Sequence, residues 1–475
     1  MIILILLLAA VAFILFRTFR FKPLPEKEQK FDEVSIDSDK AVAALAELIK
    51  FKTVSNYDPT LEDNAEFEKL IDALPSLYPE VFNVCTMTRF PDRGLLFKWS
   101  GNDSSLNPGV LMAHYDVVPV NEELWTHPAF EGEIIDNVMW GRGTLDTKIT
   151  VNGILFAANA LIQKGFTPNR DLYFAFSGGE EVSGLGAVNI VNWFKENNIT
   201  PEYVLDEGGG VVRDVFPGVK EECALIGIAE KGLMNLKFTV KSPGGHASAP
   251  LPHTPIGTLS KACTALENRP FKAHFTDATA GMFDTLGRRS TFLYRMIFAN
   301  LNIFKPVLDL ITKKSGGEFN ALLRTTVAFT CASGSKAPNV IPPEANMVAN
   351  LRLNPMDNVD SAVEYIKSVI NDENVELTVM EGQNPPHISR TDVLGWDIVA
   401  SAVKGTWRDA LVAPYLMIQC SDSRHYDSIC DRVYRFSAMD VTAEERKTIH
   451  GNDEHVRLEV VSRAVEFFTR VMIKS

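Results

Sequence analysis

Five places in the chain put metal-ligating or proton-transferring side chains at or just beyond an apolar run. They are His114 and Asp116 after GVLMA, Asp146 in GRGTLDTK, Glu180 and Glu181 in SGGEEVSG, Asp206 in VLDEGGG, and His450 in IHGNDEH. Each has a plainer structural explanation when taken alone. A single strand-end histidine is more often a satisfied core residue, and Asp146, before a long helical pattern, is placed to cap that helix. Glu180 and Glu181 resist such a reading, because adjacent carboxylates repel and a cation is a strong reason for one to stay ionised. Together His114, Asp146, Glu181, Asp206 and His450 offer two imidazoles and three carboxylates, donor types that zinc accepts at neutral pH. Asp116, two residues past His114, is placed to orient its ring. If Asp146 bridges two metal ions, each keeps two further protein ligands and an open position, and a shared water loses its proton at about pH 7. Glu180 is then free to take that proton and pass it to a leaving amine.

Such residues need a sheet to aim them, since open α/β sheets bind ligands beyond the carboxyl ends of their strands. GVLMAHYDVV reads as a buried strand, TVNGILFAANALIQKG as a helix closed by Gly165, and DLYFAFSGGEE as a strand ending in a glycine turn. The pattern predicts an α/β fold: a mixed, largely parallel sheet flanked by helices. Near Leu233 the rhythm becomes β, α, β, β, α, β, the split plan of a ferredoxin-like α+β domain. The expected division is a membrane or signal segment at 1–22, a polar tether over 23–40, and a catalytic domain from 38–232 and 386–475. A lid domain at 233–385 is inserted between them, itself carrying an amphipathic helical insertion at 270–322.

The 475 residues carry a net charge of -13, and no clustered basic surface is apparent, which argues against a nucleic-acid partner. Six cysteines lie scattered without a C-x-x-C pair, so they read as core thiols. Met1 to Phe16 are apolar without a break and are followed by Arg17, Arg20 and Lys22. With no basic lead and no clean cleavage site, this reads as an uncleaved single-pass anchor; the basic flank then places the body on the cytoplasmic side. A cleaved signal, giving a secreted form, is the alternative. Sequons at Asn102 and Asn198 matter only in a secretory lumen. His127, His253, His274, His387, His425 and His455 read as surface or structural residues.

The motifs AHYDVVP, GRGTLDTK, SGGEEVSG, LDEGGG, SPGGHASAP, NVIPPEANMVANLRLNP, SDSRHY and IHGNDEHV occur in this order between Ser38 and Ser475. In these the chain resembles the dizinc aminoacylase and carboxypeptidase metallopeptidases, within them the branch of carboxypeptidase S and the N-fatty-acyl-amino-acid hydrolases. The resemblance implies two Zn2+ ions per subunit, one held by His114 and Asp206, the other by Glu181 and His450, with Asp146 bridging. It implies Glu180 as the general base, Asp116 as catalytically required, and the lid's His246 as the group polarising the scissile carbonyl. Arg352, with Asn339 beside it, would bind the substrate carboxylate, a fork facing a carboxylate. Two departures are the segment Gln419 to Arg424, where the family often carries a glycine-rich lead, and Thr147 after Asp146, where another acid or a methionine is common.

The implied activity is cleavage of the amide bond of N-acyl amino acids or short peptides with a free C-terminal carboxylate. A broad-specificity carboxypeptidase or dipeptidase is the alternative, and a catalytically inactive binding protein of the same fold is a third reading. The small-molecule substrate requires the lid to close. A homodimer through the lid is compatible with the resemblance. The insertion at 270–322 would shape a long acyl-chain pocket, touch the membrane or, most plainly, add helical packing to the lid.

Overall fold

The computed structural model describes residues 1–25, 30–214 and 216–475. The strand Gly109–His114 is buried at every position, as a strand covered on both faces must be. Its residues alternate between two cores. Leu111 and Ala113 join the helices Ser38–Ile49, Lys148–Gln163 and Leu458–Lys474 on one face. Val110 and Met112 meet Ile190, Val191 and Phe194 of the helix Gly186–Glu196 on the other. This period of two fixes which side chains face which layer.

Gly109–His114 lies within a nine-stranded sheet ordered Thr86–Phe90, Gly94–Trp99, Leu172–Ser177, Gly109–His114, Tyr203–Asp206, Val433–Arg435, Cys223–Glu230, Leu411–Met417, with Gly210–Val212 paired to Cys223–Glu230. Pairing is parallel from Leu172–Ser177 through Val433–Arg435, and again between Cys223–Glu230 and Leu411–Met417. His114, Ser177 and Asp206 therefore end their strands at the same edge.

A second sheet, ordered Thr326–Ser333, Glu344–Leu353, Gly232–Lys241, Glu376–Gln383, is antiparallel throughout. The helices Pro255–Asn268 and Val359–Ile370 share its core through Leu259, Leu266, Ala362 and Ile366. This is the β, α, β, β, α, β order read from the sequence.

The helical insertion departs from its plainer reading. It forms the helices Asp277–Gly287, Phe292–Ala299, Leu301–Ser315 and Gly317–Leu323. Ala278, Met282, Phe283 and Leu286, one helical face, join the core of the large sheet and not that of the small one. The helix Asp277–Gly287 packs on the edge strand Leu411–Met417, and an apolar sheet edge needs such a cover.

The apolar N-terminal run is one helix, Ile2–Arg20, exposed over residues 1–13. It is long and apolar enough to cross a membrane. Of the tether, residues 26–29 lie outside the described residues, and its flanks are not free. Phe21 and Ile36 pack against the main core, and the Arg288 guanidinium sits 4.4 Å from the Phe21 ring centre. The last helix starts at Leu458, because His455–Arg457 is instead drawn into a strand pairing with Val138–Trp140.

Candidate metal centre

His114 is 2% exposed. Its Nδ1 lies 3.0 Å from the Asp116 main-chain oxygen, which only accepts, so Nδ1 carries the proton and Nε2 presents a lone pair. That lone pair faces Asp146 Oδ1 at 3.0 Å and Glu207 Oε1 at 3.4 Å. His450 Nε2 lies 3.0 Å from Asp146 Oδ2 and 3.1 Å from Glu181 Oε2. Asp146 thus turns one oxygen to each imidazole, the disposition of a bridging carboxylate.

Asp116 does a second job beside the one its spacing suggests. Its main-chain oxygen orients His114, while the carboxylate Oδ1 stands at 3.4 Å from Nδ1. The carboxylate accepts the Glu180 N–H at 3.1 Å, the Glu181 N–H at 3.2 Å and the Ser55 hydroxyl at 2.7 Å. It pins the turn that carries both glutamates.

Among the described residues, Glu207 and not Asp206 enters a group of ligand atoms within 4.8 Å of one another. Asp206 Oδ2 accepts the Ser423 N–H at 2.9 Å, tying the strand end to the segment Gln419 to Arg424. Neighbouring residues of an extended chain point to opposite sides, so when Asp206 faces Ser423, Glu207 faces His114. His114, Glu180 and Glu207 bring ligand atoms within 4.8 Å of one another, as do His114, Asp146 and Glu181. The glycines after Glu207 are the missed signal: a Cβ on Gly209 would stand 1.8 Å from the Leu225 carbonyl oxygen. The chain must run tight against the next strand there, which places Glu207 at the bend.

These donors fit divalent metal. Bonds of about 2.0–2.1 Å set adjacent tetrahedral ligand atoms about 3.3 Å apart, and the four imidazole–carboxylate separations above span 3.0–3.4 Å. Glu181 Oε1 is buried without a hydrogen-bond partner. With protein atoms alone, burial pushes the carboxyls of Glu180, Glu181 and Glu207 up, the last to about 7. Hydrogen bonds with Asp146 and Glu181 push His450 up to about 10. A cluster that must borrow protons in this way is short of positive charge.

Glu454 was not singled out by sequence, yet it holds the two ends of the centre together. It is fully buried, and it accepts Gly143 N–H at 3.0 Å, Leu145 N–H at 2.7 Å and Arg142 Nη1 at 2.6 Å. It thereby joins the loop of Asp146 to the loop of His450. Glu454→Gln is expected to cost about 3–5 kcal/mol, because Arg142 stays buried without its counter-charge. Urea denaturation of the metal-free protein measures this, and an unchanged midpoint would contradict the role.

The residues assigned to the lid lie apart from the cluster. His246 is exposed and bonds the Ser248 hydroxyl at 2.8 Å. The Asn339 main-chain carbonyl accepts the Ala247 N–H at 2.9 Å, so Asn339 sits beside His246, next to a short two-stranded ladder. Arg352 Nη1 contacts Cys420 Sγ at 3.2 Å. A cavity of about 470 Å³ is lined by Asp146, Glu180, Glu181, Glu207, His450 and Cys420, while His246, Asn339 and Arg352 are not in its wall. Arg352 is therefore one side chain removed from the cavity, through Cys420.

The sequence model of peptidase family M20/M25/M40 matches residues 110–474. The chain is 34% identical to a probable carboxypeptidase S-like 2 of Dictyostelium discoideum, over 98% of this chain and 91% of that one. It is also 34% identical to the N-fatty-acyl-amino acid synthase/hydrolase PM20D1 of Xenopus tropicalis, over 95% and 87%. The fold is shared with the M20 family metallo-carboxypeptidase Sso-CP2 from Sulfolobus solfataricus, at a TM-score of 0.66 and 18% identity, covering 91% and 98% of the two chains. With the family match spanning most of its length, the chain belongs to peptidase family M20/M25/M40 and is a metal-dependent amide hydrolase.

Proposed function

We propose that the protein hydrolyses N-fatty-acyl amino acids at a dizinc centre held by His114, Glu207, Glu181 and His450, with Asp146 between the two ions. When bound, such ions acidify a water and polarise a carbonyl. Glu180 is held by its own N–H on Asp116, and its carboxylate carries the proton from the attacking water to the leaving nitrogen. Burial, which pushes that carboxyl up, suits it to deliver the proton in the second half of this task. His246 stabilises charge on the scissile carbonyl, and Arg352 with Asn339 binds the free carboxylate. Both reach the site when a lid at 233–385 closes on the body formed by 38–232 and 386–475, or when a second copy supplies His246. The insertion at 270–322 belongs with the body in this scheme, and Ile2–Arg20 anchors the protein to a membrane.

The observation that carries the acyl reading is the cavity wall. Beside the carboxylates it presents Phe216, Met282, Leu286, Phe319, Leu322 and Tyr415. The apolar surface of two helices, Asp277–Gly287 and Gly317–Leu323, would be idle around a dipeptide, whereas a fatty chain would bury against it. Each methylene taken from water is worth about 0.8 kcal/mol, so kcat/KM should rise about fourfold per added methylene until the cavity is full. The test is release of phenylalanine from a series of N-acyl-phenylalanines up to N-oleoyl by the zinc-loaded protein, beside glycyl-leucine. A flat series with preference for glycyl-leucine would instead mean a broad-specificity carboxypeptidase or dipeptidase.

A further inference from the structure

The N-terminal helix is not free along its length. Residues 1–13 are exposed, but Thr18 is fully buried, and Asn300 Nδ2 lies 3.3 Å from both the Ile14 carbonyl and the Thr18 hydroxyl. The Phe19 and Phe292 rings lie 5.6 Å apart. At 1.5 Å per residue, the free stretch 2–13 is about 18 Å long, and the hydrocarbon layer is about 30 Å thick. A helix clamped from Ile14 onward cannot cross that layer unless the part of the body that clamps it also enters the lipid.

That part is built for lipid. Phe292 and Leu293 are 43% and 62% exposed. On the following helix, Leu301–Ser315, Ile303, Val307, Leu310 and Ile311 are 45–55% exposed at three- and four-residue spacing. This is an apolar stripe turned outward, the reverse of a helix resting on a soluble core. Lys313 and Lys314 end the same helix, where long side chains can keep their charge at headgroup level. Directly after the anchor, Pro23 and Leu24 border a groove of about 1380 Å³ whose wall holds six basic and three acidic side chains, Arg288 among them paired with Asp284 at 2.9 Å. In a chain of net charge -13, this basic excess beside the anchor's exit complements an anionic headgroup layer.

We propose that the helices Phe292–Ala299 and Leu301–Ser315 form a second bilayer contact, lying in the interface plane against the anchor and sinking the body into one leaflet. The proposal rests on the anchor reading but not on the substrate. The next helix, Gly317–Leu323, puts Phe319 and Leu322 into the wall of the active-site cavity. The bilayer contact and the cavity thus share one run of chain, so an acyl substrate has a short path from lipid to the metal centre.

The test uses the full-length chain in vesicles of phosphatidylcholine and phosphatidylserine, with the photo-crosslinking residue p-benzoylphenylalanine placed singly at Leu7, Val307, Leu310 or Tyr57. All four positions are exposed, so the protein should fold with each. Lipid adducts at Val307 and Leu310, as at Leu7, and none at Tyr57 are expected. Adducts at Leu7 alone would overturn the second contact and leave the anchor standing; adducts at none of the four would overturn both. Protein–protein adducts at Val307 in place of lipid would overturn it in favour of a self-association surface.

Discussion

Glu180→Gln is expected to lower kcat by about 10⁴-fold, the upper end of what a positioned general acid–base group contributes. The loss should be that large because one carboxylate serves twice, first taking the proton from water and then giving it to the leaving nitrogen. Glutamine keeps the shape and the Asp116 contact, which runs to the Glu180 main-chain N–H and not to its side chain. Two metal equivalents per chain should therefore remain by elemental analysis, with KM little changed. A variant keeping kcat within tenfold of the parent would remove Glu180 from the chemistry.

The second large effect separates two adjacent acids. Glu207→Ala should reduce bound metal from two equivalents to one and abolish turnover, because the Glu207 carboxylate shares the His114 position. Asp206→Asn should retain both metals, since an amide oxygen can still accept the Ser423 N–H. Its cost should be the 10–100-fold loss of metal affinity typical of groups that support ligands, about one to two decades. Metal stoichiometry after dialysis against a weak chelator reads both variants. The reverse pattern, with Asp206→Asn losing one metal and Glu207→Ala keeping two, would restore Asp206 as the ligand.

That pair also marks where the sequence stops being legible. The approach of His114, Asp146, Glu181 and His450 to one another was expected from the sequence, because two imidazoles and several carboxylates beside apolar runs and glycine turns outweigh the plainer reading of each one alone. Asp206 and Glu207 stand together, and only the direction of the bend forced by Gly208 and Gly209 decides which carboxylate turns inward. The α/β sheet was readable from short apolar runs, whose strands Gly109–His114 and Leu172–Ser177 are buried throughout, and the split β, α, β, β, α, β unit from a change of rhythm whose first strand, Gly232–Lys241, alternates in burial. The placement of the insertion was not. Its apolar face spells a packed helix but carries no address, and the edge strand Leu411–Met417 that receives it lies about a hundred residues further on. Glu454 escaped for a similar reason: its partners Arg142, Gly143 and Leu145 are met only through a loop formed more than 300 residues earlier in the chain.

The clasp between Glu454 and the loop of Asp146 has a bearing on the protein's birth. Synthesis runs from the Asp146 loop towards Glu454, and more than 300 residues separate that loop from its tether. Until His450 and Glu454 arrive, the Asp146 loop lacks its tether and the proposed metal centre lacks an imidazole. On the proposed metal-holding role of His450, a chain that stops before it is expected to be inert, which a truncation at residue 449 assayed for amide hydrolysis would check.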